Sequence, residues 1–324
     1  MNETDLKLTL AWIAALGSFV AALFNHFSKR VTERELAELK DRLDQSGKDR
    51  DARRDYEYEA RKKLYEACEP LIFQGVELAE RALVRIQGLA RTAAQGSLEP
   101  GKNSWLEIDE YYLHSTIYYL LAPLAIQRLL RERLTLLDQS LDPRIRTSYQ
   151  LLREAFAAPT QDFRLAEMRP SLPYDPHGEH LPAKEIEDPA QYSWQGLAQG
   201  ELENMVDKLI PRDLQGRYLS FGEFQRLMAE KQNRAVFQPI LKLFSRFHPR
   251  LKPIFWRILL AQAHCYAHLG ALHQGLGRTE LREAEFDWRS PGDREPATGG
   301  EALQAARAYL QLRAPKLFQE AAPV

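Results

Sequence analysis

The sequence LYEACEPLIFQGVELAERALVRIQGL, residues 64–89, has the clearest hydrophobic periodicity in the chain. Apolar or small residues recur there every three or four positions, at Leu64, Cys68, Leu71, Gly75, Leu78, Ala79, Ala82, Ile86 and Leu89. This spacing places them on one face of an α-helix, and a helix with such a face has to pack against other helices. We call these positions the apolar stripe. Pro70 lies within it, so we expect a kink near Glu69 or the start of a new segment.

Most of the remaining chain also has helical patterns. Residues 105–137 predict two helices separated by Pro123, and Asp142-Pro143 is a typical helix start. Ser220 and Glu223 have the spacing of a capping box. Further helices are predicted over 195–210, 235–247, 252–272 and 301–312. No segment has the sustained alternation of a β-strand, so the sequence predicts an all-α protein.

The predicted organisation has five parts. These are a transmembrane anchor (1–30), a charged stalk helix (31–60), a multi-helix cytoplasmic bundle (61–158), a proline-rich irregular segment (159–194) and a second helical region (195–324). The irregular segment contains Pro170, Pro173, Pro176 and Pro182, a density that sustains neither a helix nor a central strand. The sequence leaves open whether the two helical regions form one domain or two.

The anchor is predicted from LTLAWIAALGSFVAALF, residues 8–24, which contains no charged residue. As a helix it would be about 25 Å long, slightly less than a typical hydrocarbon core. Lys29, Arg30 and Arg34 follow it, and an excess of basic residues marks the cytoplasmic side. We therefore expect a single-pass protein of the bacterial inner membrane, with its N-terminus outside and its body in the cytoplasm. A buried core helix is the alternative; acidic residues before Lys7 argue against a cleaved signal peptide.

Small residues in the predicted anchor have the spacing of a helix-packing face. They are Ala14, Gly17, Ser18, Ala21 and Ala22. Small residues four apart let two helices approach closely in lipid, so the anchor could self-associate. The alternative is that alanine is simply common in membrane spans.

The stalk, residues 31–60, is dense in both charges, and many opposite charges lie four residues apart. Leu36, Leu39 and Leu43 fit a short coiled-coil seam, which ends because Ser46 and Arg50 occupy the next core positions. Ser46-Gly47 predicts a break. One interpretation of this segment is a stalk, either monomeric or dimeric. The other is a solvated linker helix.

Composition excludes some classes of protein. With 44% hydrophobic and 27% charged residues the chain resembles an ordinary globular protein rather than a disordered one. The net charge is −1, and the basic residues of 50–63 are interleaved with acidic ones, so no nucleic-acid partner is expected. No phosphate-binding or nucleophile-elbow motif is present, and no cofactor is predicted. Cys68 and Cys265 lie in apolar helical stretches and are expected to be buried, reduced thiols.

A cluster of aromatic residues has two interpretations. It comprises Trp105, Tyr111, Tyr112, Tyr118 and Tyr119, with Tyr149 further along the chain. Such residues can form a surface on which a ligand stacks, but core packing is the more common use. A second membrane span over 111–126 is disfavoured by His114 and by the arginines that follow.

Two histidine clusters are weak candidates for chemistry. His264 and His268 lie four apart, so both imidazoles could reach one metal ion from the same helix face. Asp175, His177, Glu179 and His180 lie together in the irregular segment and could transfer protons or bind a cation. The alternatives are core histidines bonded to their neighbours and a surface loop with incidental charges.

The segment ARRDYEYEARKKLYEACEPLIFQ, residues 52–74, follows the predicted span and resembles uncharacterised bacterial single-span membrane proteins with a helical cytoplasmic region. That resemblance implies no activity, cofactor or catalytic residue. The leading hypothesis is a membrane-anchored helical scaffold, sensor or effector that acts through a protein partner or as a homo-oligomer. The alternatives are a membrane-tethered hydrolase or metal-dependent enzyme, and a membrane-disrupting effector.

Overall fold

A computed structural model describes residues 3–99, 104–108, 110–168, 174, 193–211, 217–273, 281–289 and 299–318. In the first helix, side chains are described from residue 50 onward and at Lys40, Arg42 and Lys48. The helices are α1 (Glu3–Ala94), α2 (Trp105–Ile108), α3 (Glu110–Leu134), α4 (Pro143–Ala157), α5 (Asp162–Glu167), α6 (Gln199–Lys208), α7 (Phe221–Ala229), α8 (Lys231–Val236), α9 (Gln238–Phe244), α10 (Pro253–Leu272), α11 (Gly299–Arg313) and α12 (Pro315–Phe318). These residues contain no strand, which confirms the all-α prediction.

The chain divides into two compact units, Met1–Arg61 and Lys62–Val324. In the first unit, α1 continues through Ser46 and Gly47, so the break predicted there is wrong. A glycine inside a helix costs only about 1 kcal/mol relative to alanine, which neighbouring helix formers can offset. An ion pair between Arg53 and Glu57, 3.2 Å apart, is of the expected four-residue kind.

No helix in the described part of the chain is long and apolar enough to cross a membrane. This finding includes α3, where the sequence had raised a second span only to disfavour it. The side chains of the predicted anchor, residues 8–24, lie outside the described residues. The same is true of the predicted helix-packing residues Ala14, Gly17, Ser18, Ala21 and Ala22.

The apolar stripe of α1 forms part of the core of the second unit, as predicted. Every position of the stripe is buried, from Leu64 to Leu89. At Gly75 an added Cβ would lie 3.1 Å from Cγ2 of Ile126 in α3 and 3.5 Å from Cδ1 of Leu152 in α4. Glycine therefore lets three helices approach one another closely at this point.

Helix α10 is the centre of the second unit. Sixteen of its residues are buried, including Trp256, and it packs against α4, α5 and α11. These partners come from both sides of the proline-rich segment, so helices of the two predicted regions share one core. Cys68 and Cys265 are both free and buried in this core, as expected.

Buried polar side chains cap the ends of two helices of the second unit. The Lys252 ammonium donates to the carbonyl oxygens of Lys242, Leu243 and Ser245 at 2.8, 2.7 and 2.9 Å, which caps the C-terminus of α9. Gln195 Oε1 accepts from the first amides of α10. These bonds satisfy groups that the helix ends would otherwise leave unpaired.

Two caps that the sequence predicted are confirmed. Asp142 Oδ1 accepts from the amides of Arg144 and Ile145 at the start of α4, at 2.7 and 3.1 Å. The Ser220 hydroxyl and the Glu223 carboxylate form the reciprocal bonds of a capping box at the start of α7. The Tyr65 hydroxyl also donates to Asp142 at 2.8 Å, which joins α1 to α4.

Two prolines lie inside helices rather than between them. Helix α1 continues through Pro70, so no new segment begins there, and α3 continues through Pro123, so the predicted division of that helix is wrong. A proline removes one helical hydrogen bond. Helix α3 packs against α4, α6 and α7, and this tertiary packing compensates for the lost bond.

Candidate interaction groove on helix α1

An open groove of about 1000 Å³ runs along the polar side of α1. Its floor consists of Glu77, Glu80, Arg81, Val84, Arg85, Gly88, Arg91, Thr92 and Gln95, which recur every three or four residues. At ~1.5 Å per residue the helical positions Glu77 to Thr92 span about 22 Å, and Gln95 follows the end of α1. Trp105 from α2, Tyr119 from α3 and the loop residue Ser97 form the wall.

Arg85 lies between two aromatic rings of that wall. Its guanidinium carbon is 5.8 Å from the ring centroid of Trp105 and 5.8 Å from that of Tyr119. Such contacts contribute ~0.5–2 kcal/mol each, depending on how far water is excluded. Burial lowers the pKa of Arg85, and this effect is partly opposed by the Tyr119, Tyr111 and Tyr112 hydroxyls. The rings therefore fix the guanidinium in a half-buried position.

Arg85 has no acidic partner among the described residues. Its guanidinium forms no ion pair and no hydrogen bond there, although an ordinary half-buried arginine has one or the other. Arg91, two turns further along α1, also forms no ion pair in this part of the chain. Both side chains keep their N–H donors available to a group that enters the groove.

Arg81 differs because its charge is already neutralised. Its guanidinium lies 2.6 Å from the Glu77 carboxylate, one turn away. Burial alone would lower the pKa of Arg81, but the Tyr119 hydroxyl and the Glu77 carboxylate outweigh it and raise the pKa. Arg81 and Tyr119 thus separate this groove from the next cavity.

An adjoining cavity of about 420 Å³ extends the groove toward α7 and shares Glu77, Arg81 and Tyr119 with it. Arg217 lines it and lies 2.5 Å from the Glu223 carboxylate. The amide and hydroxyl of Ser220 lower the pKa of Glu223 to about 2, with help from Arg217. Across both cavities, two lining carboxylates, of Glu77 and Glu80, face four guanidinium groups. The lining is therefore cationic.

Gly88 lies at the middle of the groove floor, inside a long helix. A Cβ added there would meet no atom within 4 Å, in contrast to Gly75 on the packed side of α1. Glycine inside a helix costs about 1 kcal/mol relative to alanine. Gly200 in α6 and Gly222 in α7 have equally open positions, and at Gly88 the missing side chain lowers the groove floor at its centre.

The aromatic residues of the region divide between core and surface. Tyr118 is buried, and its hydroxyl donates to the Leu219 carbonyl at 2.9 Å. Tyr111 and Tyr112 are 49% and 38% exposed, and Tyr112 packs on Trp105 with ring centroids 4.8 Å apart. Core packing was the favoured interpretation, and it holds for Tyr118. Trp105, Tyr119 and Tyr149 are partly buried and also pack against the core. Trp105 and Tyr119 line the groove as well.

The histidines of α10 lie in a packed environment. His264 Nε2 is 3.4 Å from the Leu303 carbonyl oxygen, and His268 Nδ1 is 2.8 Å from the carbonyl oxygen of His264. Burial, followed by the nearby His268, lowers the pKa of His264 to about 4, so its ring is neutral near pH 7. In the part of the chain that the structure describes, no three His, Cys, Asp or Glu side chains are grouped as metal ligands. His273, directly after the end of α10, contacts the Ser148 hydroxyl at 2.8 Å.

The second predicted cluster, Asp175, His177, Glu179 and His180, lies outside the described residues. Tyr174, directly before it, is described. Its hydroxyl donates to the buried Asp162 carboxylate at 2.8 Å and accepts from the Gln195 amide at 2.8 Å. The structure thus places Tyr174 against α5, a helix that lies within the segment predicted to be irregular, and leaves the candidate residues undescribed.

Sequence reasoning missed the groove, although one signal was present. Glu77, Arg81 and Arg85 are four residues apart on the side of α1 away from the stripe. That pattern is typical of a solvated helix face, so it gave no reason to single out Arg85. The contact that makes Arg85 unusual comes from Trp105 and Tyr119, which lie beyond the following loop.

Comparisons with protein-family models, with curated proteins and with solved structures found no match to this chain. Its function must therefore be inferred from its residues and their geometry.

Proposed function

We propose that this protein is a membrane-anchored helical binding protein. Residues 8–24 anchor it in a bacterial inner membrane with the body on the cytoplasmic side, and the groove on α1 binds a helix of a protein partner. The groove half of the proposal is supported chiefly by one observation. Arg85 is half-buried between two aromatic rings in an open groove, yet none of the described residues neutralises it.

The anchor half is supported by the sequence. The 17 residues from Leu8 to Phe24 carry no charge, and basic residues follow them directly. Small residues at Ala14, Ser18 and Ala22 would allow two anchors to pair in lipid.

Alkaline carbonate extraction tests the anchor. The full-length chain should remain in the membrane pellet, and a chain lacking residues 1–27 should move to the supernatant. Release of the intact full-length chain would show that residues 8–24 do not span the bilayer.

Site-specific photo-crosslinking tests the groove. A photoreactive amino acid at Val84, 49% exposed on the groove floor, should give one defined protein adduct in cells that naturally produce the protein. The matched control is Leu312 in α11, which is 76% exposed and lies outside the groove. Identical adducts at both positions, or none at Val84, would remove the support for a partner in the groove.

A further inference from the structure

The shape of the groove restricts its occupant. Floor residues at intervals of three and four follow one side of a single helix for about 22 Å. Such a surface presents the ridges and depressions into which the side chains of a second helix fit. Gly88 leaves the central depression open, because no atom lies within 4 Å of the position of its missing Cβ. A partner helix can therefore approach most closely at that point.

The charges restrict the occupant further. Glu77 neutralises Arg81, and Glu223 neutralises Arg217. Arg85 and Arg91, separated by about 9 Å along the axis of α1, remain with the single carboxylate of Glu80, so this part of the lining keeps a net positive charge. Arg91 also borders a small cavity with Glu285 and Asp287, but these carboxylates bond to Gln87 and Arg289 instead. Two carboxylates about two turns apart on a partner helix would match this pair.

The chemistry and surroundings of Arg85 favour a carboxylate as its ligand. A guanidinium can donate two parallel hydrogen bonds to a carboxylate, a geometry that lysine cannot reproduce. The Trp105 and Tyr119 rings already hold it in place and exclude part of its water, so binding requires little further ordering.

We infer that the groove binds an acidic α-helical segment of the partner, with carboxylates about seven residues apart and a small or apolar residue between them facing Gly88. This inference rests on the proposed function and adds the chemistry of the partner. A nucleic acid is a poorer match because Glu80 lies on the same floor and would repel a continuous row of phosphates, whereas a helix can place two separate carboxylates at the arginines alone.

The test uses the full-length protein in detergent micelles and synthetic helical peptides of about five turns, followed by fluorescence anisotropy. One peptide has two Glu seven residues apart on an Ala/Leu face, the second has Gln at those positions, and the third has Lys. A single-stranded oligonucleotide is the fourth probe. We expect the Glu peptide to bind at least tenfold more tightly than the Gln peptide, and the Lys peptide and the oligonucleotide not to bind.

Protein variants locate the binding. Arg85→Gln should weaken binding of the Glu peptide at least tenfold. Arg85→Lys should restore only part of the affinity, because lysine lacks the planar pair of donors. Arg131→Gln is the matched control, since Arg131 is exposed on α3 and does not line the groove. It should leave the affinity unchanged.

Equal binding of the Glu and Gln peptides, no binding of any peptide, or equal effects of Arg85→Gln and Arg131→Gln would overturn the inference. Tighter binding of the oligonucleotide than of the Glu peptide would overturn it in favour of a nucleic-acid occupant. If any of these results occurs while the crosslink at Val84 persists and is absent at Leu312, only the acidic chemistry fails. If the crosslink is also lost, the proposed function of the groove fails with it.

Discussion

Lys252 and Arg85 are both cations partly withdrawn from water, but their surroundings differ. Lys252 donates to three carbonyl oxygens at the end of α9, so its position is explained by the fold. Arg85 lies between two rings and donates to none of the described residues. Gly75 and Gly88 form a similar pair on α1, because only Gly75 is required by a close helix contact. Among the described residues Arg85 has no acidic partner and Gly88 has no close contact, and the proposed partner helix would supply both.

Replacing each cation by methionine should give the largest contrast. Lys252→Met leaves three carbonyl oxygens without their charged donor, and we expect the free energy of unfolding to fall by about 3 kcal/mol. Arg85→Met should cost less, ~1 kcal/mol, because the loss of the two ring contacts is partly offset by removing a charge that is half-withdrawn from water. Urea unfolding followed by tryptophan fluorescence measures both. Equal losses would show that Arg85 is as much a structural residue as Lys252.

The pH dependence of the free energy of unfolding should distinguish the core from the groove. The pKa of His264 is lowered from 6.5 to about 4 in the folded protein. Between these values the unfolded chain binds a proton that the folded chain does not, so stability falls as pH decreases from 6.5 to 4, by roughly 3 kcal/mol at most. Above pH 6.5 the histidine has no effect. His264→Gln should flatten this part of the unfolding profile.

Peptide binding in the groove should not follow that profile. Arginines remain charged throughout, so the affinity for the Glu peptide should be constant between about pH 6.5 and 9. A change in affinity within this pH range would show that a titrating group, and not the arginines alone, controls binding in the groove.

Alanine at the two glycines should give smaller effects of opposite sign. Gly75→Ala places a methyl group 3.1 Å from Ile126 Cγ2 and should cost ~1 kcal/mol or more, even after the gain in helix propensity. Gly88→Ala enters open space and should stabilise the protein by ~0.5–1 kcal/mol. Thermal unfolding of the two variants measures this difference. A loss of stability at Gly88 would reveal an internal reason for that glycine.

The sequence predicted those parts of the fold that depend on local rules. The apolar stripe, the Asp142 cap and the Ser220/Glu223 capping box all follow from spacing and residue type, and all are found. The division of the helix predicted at Pro123 is wrong because the local rule for proline takes no account of the packing of α3 against α4, α6 and α7. The break predicted at Ser46-Gly47 is wrong because one glycine is too weak a signal to end a long helix.

The candidate site was much less predictable than the fold. The sequence singled out His264 and His268 by their spacing, but spacing does not reveal that both ring nitrogens described above contact backbone carbonyl oxygens. It also could not identify Arg85. A solvated arginine and a half-buried one have the same pattern along a helix, and only the tertiary approach of Trp105 and Tyr119 distinguishes them.

The central claim is that the groove is shaped for a partner rather than for the fold, and Gly88→Leu tests it most directly. The added Cβ would enter open space, and leucine is a better helix former than glycine, so the variant should unfold at the same temperature as the wild type or slightly higher. It should also fill the centre of the groove and abolish the crosslink from Val84. A variant that is stably folded and still gives the full Val84 adduct would contradict the claim.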